Sequence, residues 1–414
     1  MESLSRRSMI VKDLYMVTFS EAYEIILKNT ERMKAISVPL IESYNCTLAQ
    51  DIISDMDVPP FHKSAMDGYA VRSKDIVNTP VVLEIIDEIQ AGMVSMHEIK
   101  QGECAKIMTG APVPRGADTV IRFEDTEAES KGYVTILRSV YPHRNVIPRG
   151  EDARNGGVII PRDITIKGPE IAILASIGKG MVSIYKKPEI AVISTGNELR
   201  ELTAHLDEGT IRNSNGPMQQ CLGNSVVSDV TYLGIARDDK RELKRYISQS
   251  TGYDILILTG GVSVGTYDLV PETLVDCGAK ILINKVKIKP GKPFVFGKLK
   301  ECLVFGLSGN PVANFIAFYL YVTPALHKMM GRPDYSLRLV EAHIETDFYK
   351  KTEFLQIVPS RYILREGKFR VSPLPIHGSA DIIGCSGSNC LTLIEEKKHR
   401  LRKGDRIQIL LLEY

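Results

Sequence analysis

A glycine-rich turn beside a predicted helix is the first place where this sequence could do chemistry. Asp254–Leu258 is a short apolar, β-branched run, which is typical of a strand buried on both faces. A turn follows, and then Tyr267–Cys277, which has the pattern of a helix. The turn contains Gly260, Gly261, Ser263 and Gly265. Glycines let the backbone approach a ligand and a helix N-terminus offers unpaired N–H groups, so this order of elements predicts an anion site.

Asp268 lies at the start of the predicted helix, and its negative charge limits which ligands the predicted anion site can bind. A carboxylate beside a phosphate is repulsive unless a cation lies between them, so we expect a metal ion with a phosphorylated ligand. A simple tight turn, with Asp268 as a helix cap, is the alternative interpretation.

Polar residues also follow the other predicted strands of this region. Ligands of open α/β sheets bind outside the carboxyl ends of the strands, so these residues are expected to converge. They are Asn197, Glu198, Asn213, Ser214, Asn215, Asp238, Asp239, Ser308, Gly309 and Asn310. Carboxylates that hold Mg²⁺ against phosphate oxygens would use this arrangement.

A row of lysines adds positive charge. Alternation along a predicted strand Lys280–Ile288 places Lys285, Lys287 and Lys289 on one face, and Lys292 follows in a Pro-Gly turn. A solvated edge strand is the alternative for such a row. Beside a second predicted helix start at Pro311, we expect the charges to converge on an anion.

The elements that must position these groups predict a multidomain α/β protein. Strands alternate with helices from Lys187 to about Met330, which indicates a doubly wound sheet of parallel strands. Helices are predicted over Thr18–Met33, with Ser20 as N-cap, and over Leu40–Ile53. The predicted divisions are residues 1–56 with 147–186 as an N-terminal helical and linker region, 57–146 as an inserted β-rich lobe, 187–332 as the doubly wound domain and 333–414 as a small β-domain.

Composition excludes several classes of function. The chain has 414 residues with 52 basic and 50 acidic side chains, so no basic surface for nucleic acid is expected. No apolar run approaches the ~20 residues of a membrane span, and the start of the sequence lacks a signal-peptide pattern. The seven cysteines form no CxxC pair, which favours reduced thiols in the cytoplasm.

Seven motifs together resemble the molybdopterin molybdenumtransferase family, which includes bacterial MoeA and the C-terminal domain of gephyrin. They are PPFHKSAMDGYAV, KIMTGAPVPRGADTVIRFED, RGEDARNGG, ISTGNEL, TGGVSVGTYD, KIKPGKPF and GLSGNPVANF. The resemblance runs from about Phe19 to the C-terminus. It implies a homodimer whose subunit has a split N-terminal region with an inserted β-lobe, a three-layer α/β/α domain related to the molybdopterin adenylyltransferase fold, and a small, barrel-like β-domain. It also implies an active site shared between subunits.

The implied reaction takes adenylylated molybdopterin and molybdate, hydrolyses the pterin–AMP phosphoanhydride with Mg²⁺, and releases AMP and molybdenum cofactor. The catalytic residues we predict are Asp67, Glu198, Asp238, Asp268, Lys285 and Lys289. Glu198, Asp238 and Asp268 are the predicted metal ligands. Predicted substrate-binding residues are Thr109, Ser214, Gly260, Gly261, Ser263, Gly265, Lys292, Ser308 and Asn310. A molybdopterin adenylyltransferase is a candidate partner, and neither nucleic acid nor a membrane is expected to be one.

Three positions depart from the family pattern. Asn197 and Thr266 stand where acidic residues are frequent, and Ser308 replaces the proline of the usual PGNP. Each of the three could change metal affinity, and Ser308 is also expected to make its turn less rigid.

Three alternatives to molybdenum insertion differ in class or in substrate. A gephyrin-like dimeric scaffold would release no AMP, whereas tungsten insertion would use the same chemistry. A Rossmann-type oxidoreductase is disfavoured, because no GxGxxG opens the first βα unit.

Overall fold

The computed structural model describes residues 16–127, 129–227, 230–262 and 269–412. By their contacts these residues form two compact units. The large unit comprises the described residues of Met1–Val38, Asn45–Ala49 and Ser183–Tyr414. The small unit comprises Pro39–Tyr44 and the described residues of Gln50–Val182. The four-part division of the sequence stays a prediction. Among the described residues, no helix has the length and apolar character needed to cross a membrane.

The chain enters the large unit through helix α1 (Phe19–Asn29). Thr18 caps this helix, because its hydroxyl accepts a bond from Glu21 N and the Glu21 carboxylate accepts one from Thr18 N. Ser20, the predicted cap, lies inside the helix. Strand β1 (Ala35–Pro39) follows.

The predicted helix over residues 40–53 is wrong. A single 3₁₀ turn spans Leu40–Ser43, and the chain then forms turns, isolated bridges and strand β2 (Ile52–Ile53). The apolar spacing in this stretch fits a helix, but the buried residues Leu48 and Ile52 pair with Ile184 and Ile160 instead of forming helical bonds.

The small unit is built around a five-stranded sheet within the interval predicted to be β-rich. Its strand order is β7-β4-β6-β5-β8, and one buried apolar cluster covers each face. The strands of this sheet are β4 (Gly68–Val71), β5 (Val81–Ile89), β6 (Glu103–Ile107), β7 (Thr119–Arg122) and β8 (Tyr133–Ile136). The small unit also contains the short strands β3 (Lys63–Ser64), β9 (Val146–Ile147) and β10 (Val158–Ile160). Helix α2 (Gly168–Ser176) and β11 (Met181–Tyr185) follow.

The large unit contains the doubly wound domain, a three-layer arrangement around a six-stranded sheet of order β15-β12-β16-β20-β19-β17. The strands of this sheet are β12 (Ile190–Thr195), β15 (Val230–Ala236), β16 (Ile255–Thr259), β17 (Lys280–Lys285), β19 (Pro293–Leu299) and β20 (Cys302–Leu307). The domain also contains the short strands β13 (Leu199–Arg200), β14 (Ile211–Arg212) and β18 (Ile288–Lys289). Its helices are α3 (Asn215–Val226), α4 (Lys240–Gln249), α5 (Val270–Asp276), α6 (Pro311–Ala317) and α7 (Thr323–Met329).

Burial on both faces explains the continuous apolar strands. Within β16, Ile255 and Ile257 belong to one core cluster, whereas Leu256 and Leu258 belong to a second cluster on the opposite face. All four side chains are fully buried, as expected for a central strand of a three-layer domain.

The sheet is mixed. The alternation of strands and helices predicted parallel strands, whereas the apolar runs at 294–296 and 303–305 predicted a hairpin-like pair, which the antiparallel pairing of β19 and β20 confirms. Strands β15, β12, β16 and β20 are mutually parallel neighbours, β19 is antiparallel to β20, and β17 is antiparallel to β19. In this sheet β19 therefore runs against the other five strands. The carboxyl ends of those five strands lie at one edge.

Other boundaries differ from the predictions. The pattern of residues 225–233 predicts a strand throughout, but α3 extends to Val226, and β15 spans Val230–Ala236. The predicted long helix over 311–330 is interrupted by a π-helical turn at Phe318–Val322.

The C-terminal β-domain is a closed five-stranded barrel. Strand β23 pairs with both β24 and β25, and β21 and β27 complete the ring. Strand β18 of the doubly wound domain adds to β23 in parallel. The strands are β21 (Leu339–Ile344), β22 (Phe348–Tyr349), β23 (Leu355–Arg365), β24 (Lys368–Pro373), β25 (Cys390–Ile394), β26 (Arg400–Leu401) and β27 (Arg406–Leu411).

Candidate active site

A cleft of about 640 Å³ opens at the carboxyl edge of the doubly wound sheet. We call it the strand-end cleft. It brings together residues from six separate segments of the chain, and two residues of the β-domain, Ala380 and Ile382, also line it. The predicted site residues in its lining are Glu198, Ser214, Asp238, Gly260, Gly261, Ser308 and Asn310.

The floor of the cleft depends on the turn that follows β16. Gly260 and Gly261 have φ angles of +95° and +63°, which side-chain-bearing residues rarely adopt. A Cβ at Gly260 would lie 2.5 Å from the Thr195 carbonyl oxygen, and one at Gly261 would lie 2.9 Å from Thr195 Oγ1. The two glycines therefore let the turn pack against the end of β12 while its backbone faces the cleft.

Two carboxylates stand on the rim of the cleft. The Asp238 carboxylate accepts a bond from Asn197 N at 3.3 Å, and the Asn197 side-chain oxygen accepts one from Asp238 N at 3.2 Å. Asn197, which departs from the family pattern, thus joins the ends of β12 and β15. The Glu198 carboxylate folds over Gly196, where an added Cβ would meet Oε2 at 2.6 Å.

The donor set suits an oxygen-preferring cation. Glu198 and Asp238 offer carboxylate oxygens at an open cleft, and Mg²⁺ commonly binds through one or two carboxylates together with water and phosphate. Among the described residues, no three His, Cys, Asp or Glu side chains meet in a way that could hold a metal ion. The predicted third ligand, Asp268, lies outside the described residues. So do Ser263, Gly265 and Thr266, and their roles stay predictions.

The start of helix α3 forms another wall. Asn213 is buried; its side-chain oxygen accepts bonds from Ser194 Oγ and Gly216 N, each at 3.1 Å. Its Nδ2 donates to the Tyr232 hydroxyl, which donates in turn to Glu201. Burial and the Glu201 carboxylate raise the pKa of Tyr232, so this hydroxyl stays protonated. The network fixes the helix start, where Ser214 and Asn215, both among the residues expected to converge, line the cleft.

The loop of residues 308–310 forms a further part of the wall. Ser308 Oγ accepts a bond from Asn310 N at 3.2 Å, and Asn314 Nδ2 donates to the Ser308 carbonyl at 2.9 Å. Asn310 Nδ2 donates to Ser379 Oγ of the β-domain at 2.9 Å. The serine hydroxyl thus supplies a bond that proline lacks at this position.

A second cleft of about 860 Å³ lies between the doubly wound domain and the barrel. We call it the barrel-side cleft. Ser308 and Asn310 line it as well as the strand-end cleft. Its lysines are Lys289, Lys292 and Lys351. Lys292 Nζ lies 5.9 Å from the centroid of the Phe354 ring, within range of a cation–π interaction.

The predicted row of three lysines on one strand is wrong. Strand β17 ends at Lys285, Lys287 lies beyond it, and Lys289 belongs to β18, which pairs with the barrel. Lys285 pairs with Pro293, which lines both clefts, but Lys285 itself lines neither. The chain bends where the alternating pattern predicted a continuous strand.

Asp67 and Thr109 form a pair in the small unit. The Asp67 Oδ1 atom accepts bonds from Thr109 N at 2.7 Å and from Thr109 Oγ1 at 2.8 Å. The backbone bond first, and the hydroxyl bond second, hold the pKa of the Asp67 carboxyl below its usual range. Both side chains are exposed, so a charged carboxylate is presented at the surface of this unit.

Comparisons with known proteins cover the same three parts of the chain. Residues 17–178 match the MoeA N-terminal region (domains I and II), residues 191–328 match a probable molybdopterin binding domain, and residues 341–412 match the MoeA C-terminal region (domain IV). The order of these matches defines a protein of the MoeA type.

Similar proteins extend over the whole length. A molybdopterin molybdenumtransferase of Staphylococcus epidermidis is 34% identical over 402 residues, which are 96% of each chain. One of Staphylococcus aureus (strain COL) is 34% identical over 410 residues, 98% of each chain. A crystal structure of the molybdopterin biosynthesis MoeA protein of Pyrococcus horikoshii OT3 superposes with a TM-score of 0.82 at 30% identity, covering 96% of this chain and all of that one. The chain belongs to the molybdopterin molybdenumtransferase family, and it is an enzyme of molybdenum cofactor biosynthesis.

Proposed function

We propose that this enzyme inserts molybdenum from molybdate into adenylylated molybdopterin, with hydrolysis of the pterin–AMP phosphoanhydride and release of AMP. The strand-end cleft is the observation that carries the proposal. It combines two carboxylates, a glycine turn and three polar side chains, Ser214, Ser308 and Asn310, at one edge of the sheet. Such a set can bind a phosphorylated ligand together with a divalent cation.

Glu198 and Asp238 are the residues that would hold Mg²⁺, with Asp268 as the third predicted ligand. When bound, the cation would neutralise charge on the phosphoanhydride oxygens. The chain's own contribution is to fix the position of Asp238 through its paired bonds with Asn197. A fixed carboxylate orients what it binds and loses less conformational freedom on binding.

The remaining predicted residues have binding roles in this proposal. The backbone N–H group of Gly261, with the predicted Ser263 and Gly265, would hold phosphate oxygens. The Gly260 N–H already donates to the Leu307 carbonyl at 2.9 Å, so Gly260 would shape the turn instead. Lys289 and Lys292 would attract an anion, such as molybdate or a phosphate, to the barrel-side cleft, and Lys285 would add positive charge nearby. Asp67, kept charged by Thr109, would serve as a further polar contact for substrate.

Turnover of adenylylated molybdopterin with molybdate or with tungstate tests the reaction, with AMP and metal-loaded pterin both quantified. We expect AMP release that requires Mg²⁺, and the two oxyanions show which metal is preferred. Asp238→Asn should lower the rate at least ~10-fold and raise the Mg²⁺ concentration needed for half activity, because a charged ligand is lost.

The matched control is Asp239→Asn. Asp239 is the next residue, but it caps α4 by accepting bonds from Arg241 N and Glu242 N, and asparagine caps equally well. Its activity and Mg²⁺ dependence should match wild type. No AMP release by the wild-type chain would contradict the proposed reaction and favour a scaffold.

We further propose a cytoplasmic homodimer that receives its adenylylated substrate from a molybdopterin adenylyltransferase. The support is the family membership and the balanced charge of the chain.

A further inference from the structure

One buried side chain in the strand-end cleft has an unused hydrogen-bonding atom. Asn215 is the first residue of helix α3, is 8% exposed and lines the cleft. Its Nδ2 donates to the Gly309 carbonyl at 2.8 Å. A carbonyl can only accept, so this bond fixes which end of the amide carries the nitrogen. The oxygen, Oδ1, occupies the other end.

No described residue donates a hydrogen bond to Asn215 Oδ1. Buried polar atoms are nearly always paired, so an orphan acceptor in the wall of a cleft indicates a missing donor. Buried side-chain atoms of Thr47, Gln219, Tyr321 and Arg332 are also unpaired, but these residues do not line the cleft. Asn215 therefore differs from them in lining a cleft that can hold a ligand.

The chemistry of an amide oxygen restricts what can bind there. Phosphate and molybdate oxygens are acceptors and negatively charged, so they cannot satisfy Oδ1. A ring N–H, an exocyclic amine, a hydroxyl group or a cation can. The cleft thus contains an acceptor for an amino-substituted ring in addition to groups suited to a cation and a phosphate.

We propose that Asn215 determines substrate orientation by accepting a hydrogen bond from an amino-substituted heterocycle. This inference rests on the proposed function, because adenylylated molybdopterin carries such a ring at each end, adenine and the aminopyrimidinone of the pterin. Asn215 holds the 308–310 loop through Nδ2 and binds the ring through Oδ1. One amide thereby couples the position of the ring to that of the loop.

Two pairs of small-molecule probes test whether the adenine ring or the pterin ring donates the hydrogen bond to Asn215. The first pair is AMP and purine ribonucleoside 5′-monophosphate, which lacks the 6-amino group. The second is 6-hydroxymethylpterin and 6-hydroxymethyllumazine, which has an oxo group in place of the 2-amino group. Affinities for the full chain are measured by titration calorimetry or fluorescence, for wild type, Asn215→Leu and Gln219→Leu.

Wild type should bind the amine-bearing member of one pair about 10-fold more tightly than its partner, as one hydrogen bond to a buried acceptor predicts. Asn215→Leu should abolish that ratio. The ratio is the informative quantity, because a disturbed 308–310 loop would weaken both members equally. Gln219→Leu is the matched control, since this fully buried amide of the same helix also has an unpaired oxygen but lies outside the cleft. It should keep the wild-type ratio.

A ratio that survives in Asn215→Leu, or the absence of any ratio in wild type, would overturn the inference. Equal weakening of both members in each of the two pairs would assign Asn215 to a ribose hydroxyl or to structure alone, and would also overturn it. AMP release is assayed in parallel. If release occurs but the ratios do not respond to Asn215, the inference fails alone. If Asn215→Leu abolishes the affinity ratio but wild type releases no AMP, the proposed reaction is wrong, and the hydrogen bond from the ring to Asn215 is still supported.

Discussion

At the scale of single residues, the candidate site depends on bonds between positions far apart in the chain. Asp67 is bonded to Thr109, Asp238 to Asn197, and Asn310 to Ser379. Residue type and strand-end position predicted three of these six residues, Asn197, Asp238 and Asn310. The pairing itself depends on which loops meet in the fold, and no local pattern carries that information. For this reason Asp67 could be predicted only from the resemblance, since locally it precedes a glycine and resembles a turn residue.

A second residue-scale property is a pH dependence centred on His327 in α7. Burial and the Arg332 charge lower the pKa of His327 to about 4, and its Nε2 lies 3.2 Å from Arg332 Nη1. The unfolded chain protonates this imidazole near pH ~6.5. Protons therefore favour the unfolded state, and the free energy of unfolding should fall by about 1–2 kcal/mol between pH 6.5 and 5 from this group.

The measurement is the thermal unfolding midpoint at pH 7 and pH 5 for wild type and His327→Phe. The variant should lose less stability on acidification than wild type. His205→Gln, at an exposed histidine, is the control and should behave as wild type does. If all three proteins lost the same amount of thermal stability between pH 7 and pH 5, His327 would not be the source of the pH dependence.

At the scale of elements, the direction of the strands explains why one edge of the sheet collects the site. Five strands end at the same edge although β19 is reversed. Strand β19 is antiparallel to both of its neighbours, β20 and β17, so those two strands run in the same direction. The alternation of strands and helices predicted this edge correctly. It could not predict the bend after Lys285, since alternating lysines look the same in one strand as in two short ones. Lys289 lies in β18, which pairs with β23 of the barrel. The paired residues Ile288 and Leu355 are 67 positions apart in the sequence (355 − 288), so no local pattern predicts their contact.

Close packing of α3 on the sheet gives an element-scale prediction. A Cβ at Gly216 would lie 2.7 Å from Asn213 Nδ2, 2.8 Å from a Tyr232 ring carbon and 2.9 Å from Ser194 Oγ. Gly216→Ala should therefore displace the first turn of α3. We expect a loss of about 1–3 kcal/mol in the free energy of unfolding and weaker AMP binding.

Gly168→Ala is the matched control, because Gly168 also lies in the first turn of a helix but has no atom within 4 Å of an added Cβ. Alanine there should leave stability unchanged or raise it by up to ~1 kcal/mol. Denaturant midpoints and AMP titrations distinguish the two. Equal effects of both substitutions would count against tight packing at Gly216.

At the scale of the whole molecule, the predicted catalytic residues are divided between the two units. Asp67 and Thr109 belong to the small unit, whereas Glu198, Asp238, Lys285 and Lys289 belong to the large unit. The sequence predicted the β-rich lobe, the doubly wound domain and the β-domain from periodicity alone. The closure of the barrel required long-range pairing of β23 with β25, which periodicity does not reveal.

A homodimer with shared active sites predicts complementation between inactive subunits. Asp67→Ala and Asp238→Asn should each lower AMP release. After co-refolding in equal amounts, half of the dimers contain one of each subunit, and each of these has one intact site. Activity should recover to about a quarter of wild type.

Mixing without refolding is the control and should recover little activity if dimers exchange slowly. Sedimentation analysis reports whether dimers form. Dimers with no recovered activity would assign each active site to a single subunit.

The loop of residues 308–310 has a consequence for how this protein can diverge. Ser308 and Asn310 line both clefts, and Asn310 also bonds to Ser379 of the barrel. A mutation in the loop therefore alters two cavities and an interdomain contact simultaneously. Such positions accept changes mainly when a compensating change arises elsewhere. Across homologous enzymes, residue identities at 308–310 should covary with those around 377–382, although some seventy positions separate the two segments (379 − 309).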